Sequence, residues 1–475
     1  MQHFYPLYLA NKAHEGADDA LEVVNKYNQE TVAEVARADS ELLEQAIQKG
    51  LEAVPAMQAL KPYQKQRILL DCVAKFTERF DEFTEALIAE GGKPEAAAKA
   101  EVKRLIATFQ FAADAVTTVP EGEVLPLDAT EASAGYRGFS KRVPIGLCGF
   151  ISPFNFPLNL VAHKIAPAIA AGCPFILKPA SYTPIGALMI ADVLAETDLP
   201  EGAFSILPMS SKVADVLVTD ERIKLLSFTG SDKVGWDMKA RAGKKKVVLE
   251  LGGNAAVMIE PDADLEKALP RVIIGGYSQA GQVCISVQRV LIHKDIYQSV
   301  KDKLVTLAKE VKSGDPSQAD VVIGPMIDKG ELERIQQWID EAVEEGATLL
   351  CGGEVDGLVM NATILENVSH ESKLYKDEAF GPVMILEAYD DFDKGIELAN
   401  DSRFGLQVGV YSSSINKAMQ AWDHIEAGGV IINDVPTFRV DNMPYGGVKD
   451  SGFGREGVKY AIEDMTEIRL MVVKD

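Results

Sequence analysis

An apolar run at residues 272–280 continues into Gly281-Gln282-Val283-Cys284-Ile285-Ser286-Val287-Gln288-Arg289, and a β-branched segment at 290–292 follows. We therefore predict that Cys284 lies where a helix gives way to a strand. A thiol at such a junction can meet backbone N–H groups that lower its pKa, and the thiolate is the nucleophilic form. A lone cysteine is more often a packed core residue. The rest of the chain must decide between the two.

Composition sets the broad class of the protein. The chain has 475 residues, 47% of them hydrophobic and 25% charged, which predicts a folded globular protein of two or three domains. The formal net charge of −23 argues against binding nucleic acid or an anionic membrane through a basic surface. A small anionic substrate stays possible, because a local pocket can oppose the overall sign.

The cysteines and the hydropathy pattern indicate a compartment. The five cysteines are widely spaced and include no CxxC pair, which argues against a disulfide framework and against a zinc site. Residues 1–10 do not read as a signal peptide, and no apolar run reaches the length of a transmembrane helix. We expect a cytoplasmic protein that holds no metal.

Helical periodicity dominates the first part of the chain, and short apolar strands alternating with helices dominate the rest. Helices are predicted over 41–54, 63–90 and from Lys93-Pro94 to about 116, and a turn-rich excursion over 120–136. Strands are predicted over 147–151, 174–177, 204–207, 223–228, 247–249, 255–259, 290–293 and 468–473. This alternation indicates an α/β fold with parallel sheets covered on both faces, which bind nucleotides at the carboxyl ends of their strands.

One segment, Gly230 to Gly235, follows a predicted strand and opens a helix. Such a GxxxxG segment can present backbone N–H groups to a pyrophosphate. It lacks the full GxGxxG of dinucleotide folds and the Lys-Ser/Thr of an ATP phosphate loop. A nicotinamide cofactor is therefore favoured over ATP.

Eight motifs in chain order carry a resemblance that covers nearly the whole chain: it resembles the aldehyde dehydrogenase superfamily. They are Glu90 with Gly92-Lys93-Pro94, Ser152-Pro153-Phe154-Asn155-Phe156-Pro157-Leu158, Leu177-Lys178-Pro179-Ala180, Phe228-Thr229-Gly230-Ser231 with Gly235, Glu250-Leu251-Gly252-Gly253, Gly281-Gln282-Val283-Cys284, Glu378-Ala379-Phe380-Gly381-Pro382, and Pro444-Tyr445-Gly446-Gly447 with Ser451-Gly452-Phe453-Gly454-Arg455-Glu456. The chain departs from the usual pattern at Phe154, where many members have Trp, at Asn254 (Lys) and at Tyr445 (Phe). None of these departures removes a reacting group.

The resemblance implies a mechanism. Cys284 attacks an aldehyde, and the side-chain amide of Asn155 with the backbone N–H of Cys284 stabilises the oxyanion. Hydride leaves to a nicotinamide, and Glu250 activates the water that hydrolyses the thioester. It also implies contacts to the cofactor from Ile151, Pro153, Phe154, Lys178, Ser181, Gly230, Ser231, Gly235, Leu251, Glu378 and Phe380.

Two expectations concern ligand choice. Ser181 stands where NAD-using members mostly carry a glutamate that would repel a 2′-phosphate, so NADP is expected, with NAD also possible. Arg104 and Arg439 resemble positions at which some members hold a phosphate or carboxylate, although both could be ordinary surface charges. The expected substrate is a short aldehyde of the succinate semialdehyde, lactaldehyde or glyceraldehyde 3-phosphate type.

The resemblance also implies three parts: a cofactor-binding domain at 1–118 and 138–250, a catalytic domain at 251–457, and a small β element at 119–137 and 458–475 through which the chain forms a homodimer or homotetramer. Three rival functions stay open: a CoA-acylating relative, a structural or binding protein of the same fold, and a cysteine hydrolase. Glu250 argues against the first, because a base that activates water has no use there. The second is disfavoured by the presence of Cys284, Asn155, Glu250 and Glu378. The third needs a histidine beside the cysteine, and the histidine nearest a motif, His163, lies inside an amphipathic segment, where a core or surface position is expected.

Overall fold

The computed structural model describes residues 2–17, 20–119 and 122–475. Five residues lie outside the described residues: Met1, Asp18, Asp19, Pro120 and Glu121. Parts of the predictions for residues 1–10, for the excursion at 120–136 and for the ranges 1–118 and 119–137 fall on them.

The first sheet contains the strands that surround the predicted nucleotide-binding segment. In spatial order they are Gly452–Phe453, Lys246–Glu250, Leu225–Thr229, Cys148–Ile151, Phe175–Lys178, Phe204–Ile206, Leu7–Leu9 and Lys12–His14. The five strands between 148 and 250 pair in parallel, and most of their side chains are buried. Helices accompany this sheet at Ser40–Ala59, Pro62–Glu78, Phe80–Gly91, Glu95–Thr118, Asn159–Ala171, Ile185–Ala195, Ser211–Thr219 and Asp232–Arg241.

The second sheet is built from the later part of the chain. Its spatial order is Thr348–Cys351, Thr363–Glu366, Val383–Tyr389, Val287–His293, Ala255–Ile259, Gln407–Tyr411 and Gly429–Ile432. All neighbours pair in parallel except Thr348–Cys351 with Thr363–Glu366. The accompanying helices are Leu265–Tyr277, Tyr297–Glu310, Lys329–Glu344, Lys373–Lys376, Phe392–Asn400 and Ile415–His424.

Smaller elements complete the fold. The C-terminal sheet consists of Thr466–Lys474, Tyr136–Pro144 and Val124–Pro126, and an N-terminal sheet consists of Phe4–Tyr5, Thr31–Val35 and Leu21–Val24. Two further strand pairs join Val355–Asp356 to Val359–Met360 and Phe404–Gly405 to Val448–Lys449. The helix Val458–Asp464 packs against the helices Asn159–Ala171 and Glu95–Thr118, and short 3₁₀ turns lie at Glu131–Ser133, Ser278–Gly281 and Lys294–Ile296.

The predicted α/β fold class is confirmed, but several boundaries differ from the sequence prediction. The single helix expected over 63–90 is two helices, because the chain leaves helical geometry at Arg79 (ψ 20°). Phe76 and Phe83 meet edge to face across this break, with their ring centroids 5.6 Å apart. The C-terminal sheet extends to Pro144, whereas the predicted β element stops at 137. Gly452–Phe453, within the range predicted for the catalytic domain, pairs with a strand of the first sheet.

Candidate active site

Cys284 lies in a short irregular segment rather than directly at a helix end. The helix before it stops at Tyr277, and Gln279 and Ala280 then adopt left-handed backbone angles (φ 54° and 55°). Non-glycine residues hold this conformation only where the surroundings enforce it. Here the Gln279 side chain donates a hydrogen bond to the backbone carbonyl of Asn155, which ties the turn to the loop that follows the strand Cys148–Ile151.

The thiol of Cys284 has a specific polar neighbour. Its Sγ lies 3.1 Å from the hydroxyl oxygen of Tyr445. Gly253 packs so closely on the Cys284 carbonyl that a Cβ at position 253 would overlap its oxygen. Burial raises the pKa of the Cys284 thiol, and the hydrogen bond with Tyr445 lowers it.

Asn155 is buried beside the cysteine loop. Its side-chain Nδ2 donates to the carbonyl of Gln282 at 2.9 Å, two residues before Cys284. An amide NH₂ carries two donor hydrogens, so a second N–H stays available for an oxygen bound at the cysteine. The structure thus brings Asn155 and Cys284 into one loop cluster.

Glu250 ends a buried strand of the first sheet, and its carboxylate is unusual. Neither oxygen has a hydrogen-bond partner among the described residues. A Cβ at Gly446 would lie 2.9 Å from Oε1 of Glu250, while the preceding residue, Tyr445, contacts Cys284. Consecutive residues therefore lie against Glu250 and Cys284, the expected base and nucleophile. Burial, and then the nearby charge of Glu456, raises the pKa of Glu250 well above its usual range.

A buried set of charges that the sequence reasoning did not single out adjoins Glu250. The ammonium of Lys164 donates to the hydroxyls of Ser227 and Thr229 at 2.8 Å and lies 3.3 Å from Glu456 Oε1. The other oxygen of Glu456 accepts from Arg439 Nη2 at 3.0 Å. Lys164 and Glu456 stand almost 300 residues apart in the chain. Arg439 and the motif that contains Glu456 were noted in the sequence, whereas Lys164 was missed.

The two arginines expected to hold an anion occupy different surroundings. Arg439 is almost fully buried, its guanidinium carbon lies 3.7 Å from the ring centroid of Tyr445, and its Nε has no partner within the described ranges. Arg104 instead donates hydrogen bonds from Nε and Nη2 to the Asp441 carboxylate, at 3.2 and 2.6 Å. Asp441 also binds His163 Nε2 at 2.8 Å, so the histidine is a core residue paired with an acid.

The residues expected to contact a cofactor line the carboxyl ends of the first sheet and the facing loops. Ile151 ends its strand, Pro153 and Phe154 follow in the next loop, and the rings of Phe154 and Phe380 meet edge to face at 5.9 Å. Phe380 itself has a left-handed backbone (φ 50°). Glu378 Oε1 accepts from the backbone N–H of Gly253 at 2.8 Å, and burial raises its pKa to about 7.

The phosphate-binding segment predicted at 230–235 has the expected context. It follows the strand Leu225–Thr229 and leads into the helix Asp232–Arg241, whose N-cap Ser231 makes no side-chain capping bond. A Cβ at Gly235 would overlap the side chain of Leu251, so the helix packs closely on the segment after Glu250. The free N–H groups of this helix fit a pyrophosphate.

Lys178 and Ser181, which are expected to contact the adenosine end of the cofactor, lie at and just after the end of the strand Phe175–Lys178. Lys178 donates to its neighbour's carbonyl, at Pro179, at 2.9 Å, and burial lowers its pKa to about 8. Ser181 is exposed and borders a cavity of about 700 Å³ with Tyr27, Tyr182 and Asp328 among its lining residues. The chain thus offers a dinucleotide both a helix N-terminus and a nearby lysine. A bound nicotinamide would supply hydride acceptance, and these residues fit such a group.

Comparison with known proteins identifies the architecture. The sequence profile described as the aldehyde dehydrogenase family matches residues 13–471. The chain belongs to the aldehyde dehydrogenase family. It is 40% identical to a 3-sulfolactaldehyde dehydrogenase of Priestia aryabhattai, over 99% of this chain and 98% of that protein. It is 38% identical to a lactaldehyde dehydrogenase of Methanococcus aeolicus, over 95% and 97% of the two chains.

Solved structures agree with this assignment. Aldehyde dehydrogenase 21 of Physcomitrella patens, in complex with its product succinate, superimposes with a TM-score of 0.98 at 46% identity, over 100% of this chain and 99% of that one. The glyceraldehyde-3-phosphate dehydrogenase of Methanocaldococcus jannaschii complexed with NADP gives 0.92 at 36% identity, over 97% and 100%.

The protein is therefore an NAD(P)-dependent aldehyde dehydrogenase, an oxidoreductase that acts on a small aldehyde. Both the recognition of the family from its motifs and the expected enzyme class are confirmed. In the parts of this aldehyde dehydrogenase that the structure describes, no helix is both long and apolar enough to span a bilayer.

Proposed function

We propose that this aldehyde dehydrogenase oxidises a short aldehyde bearing an anionic group, and that it uses NADP in preference to NAD. The observation that carries the proposal is Arg439. This buried arginine stacks on the ring whose hydroxyl contacts Cys284, and no described residue takes up its Nε–H. An unused guanidinium donor next to the nucleophile suits an anion at the far end of a short substrate.

In the first half of the proposed reaction, Cys284 is the nucleophile. Its thiolate attacks the aldehyde carbon, a C–S bond forms, and the carbonyl electron pair moves to the oxygen. The free amide hydrogen of Asn155 and the backbone N–H of Cys284 are the proposed donors to that oxyanion. A nicotinamide held at Glu378 and Phe380 would supply hydride acceptance, and the carbonyl carbon would then remain on Cys284 as a thioester.

In the second half, Glu250 is the proposed general base. Its carboxylate takes a proton from the water whose oxygen forms a bond to the thioester carbon. The C–S bond then breaks, its electron pair returns to Cys284 as the thiolate, and the acid is released. Support comes from its burial, its free oxygens and its raised pKa, since a base must be poised to exchange protons near the working pH. Glu378 and Phe380 are proposed to position the nicotinamide riboside, Glu378 being already oriented by Gly253.

For the anion, a carboxylate has the best support. Aldehyde dehydrogenase 21, 46% identical to this chain, was crystallised with succinate. Two cations, Lys164 and Arg439, share the carboxylate of Glu456, and Arg439 keeps an Nε–H that no described residue accepts. Arg104 is proposed to assist with the N–H groups that Asp441 does not use. Sulfonate and phosphate are the other anionic groups in the proposed substrate class, since relatives are named for 3-sulfolactaldehyde and for glyceraldehyde 3-phosphate.

The experiment is a panel of neutral and anionic aldehydes, assayed with NADP and NAD separately, for wild type, Arg439→Ala and Arg271→Ala. Arg271 is the matched control, because it is an exposed arginine paired with Asp434. We expect Arg439→Ala to lower kcat/KM about 10- to 150-fold for anionic aldehydes, the loss of one charge-assisted bond, and much less for neutral ones. Equal losses for both classes would exclude the anion pocket.

We also propose that the first sheet with its helices forms the cofactor-binding domain, the second sheet the catalytic domain, and the C-terminal sheet the contact between copies. The edge strand Thr466–Lys474 supports this last point, since Ile468 is 67% exposed and the residues after it are exposed as well. Light scattering should report a dimer or tetramer, and Leu470→Lys should lower the mass. The free state of all five cysteines, each within the described ranges, supports a cytoplasmic location.

A further inference from the structure

Next to Cys284, this chain has the hydroxyl of Tyr445 where the resembled family pattern usually has a phenylalanine. A phenylalanine, the usual residue of the resembled pattern, could pack here equally well, yet this chain places a donor 3.1 Å from the sulfur of Cys284. The ring is not free to turn away. The backbone of Tyr445 exchanges two hydrogen bonds with that of Glu456, and its side chain is buried. The contact is therefore built into the fold rather than made by a mobile side chain.

The same ring has a cation on its face. The guanidinium carbon of Arg439 lies 3.7 Å from the ring centroid of Tyr445, and Glu456 holds the arginine there through Nη2. A cation over an aromatic face draws electron density from the ring. The phenolic O–H consequently becomes a better donor towards the sulfur on its other side.

Apart from Arg439, the charged groups that face the Cys284 thiol and the Tyr445 hydroxyl are carboxylates. Glu378 and Glu250 act on Cys284 and disfavour its anion, whereas Arg439 favours it. Glu250 likewise acts on Tyr445. The hydroxyl of Tyr445 is the one group that hydrogen-bonds with Sγ among the described residues, and a thiolate, which has no proton, can only accept from it.

We propose that Tyr445 is a catalytic residue: its hydroxyl donates a hydrogen bond to the sulfur of Cys284 and stabilises the thiolate that attacks the aldehyde. The phenol keeps its own proton throughout, and the proton lost by the thiol goes to water. The inference deepens the proposed function, since it rests on Cys284 as the nucleophile. It predicts that Tyr445 acts before and independently of any aldehyde.

The test is alkylation of Cys284 by iodoacetamide, followed by mass spectrometry of the peptide that contains it, over a series of pH values. In this reaction the thiolate sulfur displaces iodide and forms one C–S bond. Wild type is compared with Tyr445→Phe and with Tyr411→Phe. Tyr411 is the matched control, a buried tyrosine of the second sheet whose hydroxyl has no partner within the described chain.

For Tyr445→Phe we expect the midpoint of the rate profile to rise by about one to two pH units, the effect of losing one hydrogen bond to a charged group. The limiting rate at high pH should rise about three- to tenfold, because a more basic thiolate is more nucleophilic. The two profiles therefore cross. Tyr411→Phe should overlay wild type.

An unchanged midpoint in Tyr445→Phe would overturn the proposal. So would an alkylation rate changed by the same factor at every pH, because the substitution would then alter only the access of iodoacetamide to Cys284. Tyr445→Leu, which also lacks the hydroxyl and leaves Arg439 in place, provides a second variant should Tyr445→Phe not fold, and it should raise the midpoint too. The same midpoint in that variant as in wild type would then count against the proposal. No aldehyde or cofactor is present, so failure of the substrate proposal leaves this result intact, and the reverse also holds.

Discussion

Replacing Glu250 by glutamine should separate the two halves of the reaction. The amide has nearly the shape of the carboxylate but cannot take a proton from water. Attack by Cys284 and hydride loss do not need the base in the proposed mechanism, so each site should still yield one reduced cofactor. The thioester should then persist. Stopped-flow absorbance of the reduced nicotinamide should show a full burst followed by a nearly flat line.

The size of the effect follows from what the base contributes. General base catalysis accounts for about 10²- to 10⁴-fold, so the steady rate should fall by that factor, equivalent to about 3–5 kcal/mol of barrier. Stability should change in the opposite sense. Glu250 binds its proton more tightly when folded, so its stabilising contribution is complete below its ordinary pKa of about 4.5 and is lost as the pH rises towards the folded value. Glutamine does not titrate, and the variant should gain in relative free energy of unfolding as pH increases.

Glu260 offers a matched control, because it too is a buried glutamate directly after a strand, Ala255–Ile259. Its carboxylate accepts a 2.6 Å hydrogen bond from Tyr389 and pairs with Lys417. Glu260→Gln should keep its turnover and lose stability. Steady turnover by Glu250→Gln within about tenfold of wild type, or a burst well below one per site in both variants, would refute the reasoning.

Further outcomes are expected at the nucleophile, the cofactor site and the core. Cys284→Ala should give no burst while binding cofactor as tightly as wild type, and calorimetry that shows weakened cofactor binding would contradict its purely chemical role. Ser181→Glu should weaken NADP by about 2–3 kcal/mol, or about 30- to 150-fold, with little effect on NAD; fluorescence titrations in which NADP affinity is unchanged would exclude a 2′-phosphate at this residue. Burial raises the pKa of Glu90 to about 8, so its contribution to stability falls between about pH 4.5 and 8, by up to about 5 kcal/mol. Urea unfolding should show a shallower pH slope for Glu90→Gln, and identical slopes would place the destabilising charge elsewhere.

The fold class and the family could be predicted from the sequence because both depend on local patterns. Continuous apolar strands between helices indicate a parallel sheet wherever they occur, and each motif is short. The N-terminal strands, such as Phe4–Tyr5, were not predicted because strands of two to five residues are too short to show a clear periodicity. The break at Arg79 was missed for a related reason, since the apolar spacing continues across it and Phe76 still meets Phe83.

Contacts between side chains that lie far apart in the sequence could not be predicted from local patterns. Arg104 and Arg439 looked equivalent as cations, but one is committed to Asp441 and the other retains an unused donor among the described residues. Tyr445 was visible as a departure from the family pattern, although nothing in the sequence says that its hydroxyl contacts Cys284. Contacts of this kind depend on which side chains the tertiary fold brings together.

The pairing of the strand Gly452–Phe453 with Lys246–Glu250 has a consequence for biosynthesis. Leu249 lies opposite Phe453 and Glu250 opposite Gly452, so the strand that carries the proposed base gains its neighbour only when the last part of the chain has been made. Contacts between residues this distant in sequence form late in folding. A nascent chain still lacking this segment can complete neither the first sheet nor the contact of Tyr445 with Cys284. The enzyme should therefore become active only once this segment has been made and has joined the first sheet, and a truncation that ends before Tyr445 should leave a protein with an intact Cys284 and no activity.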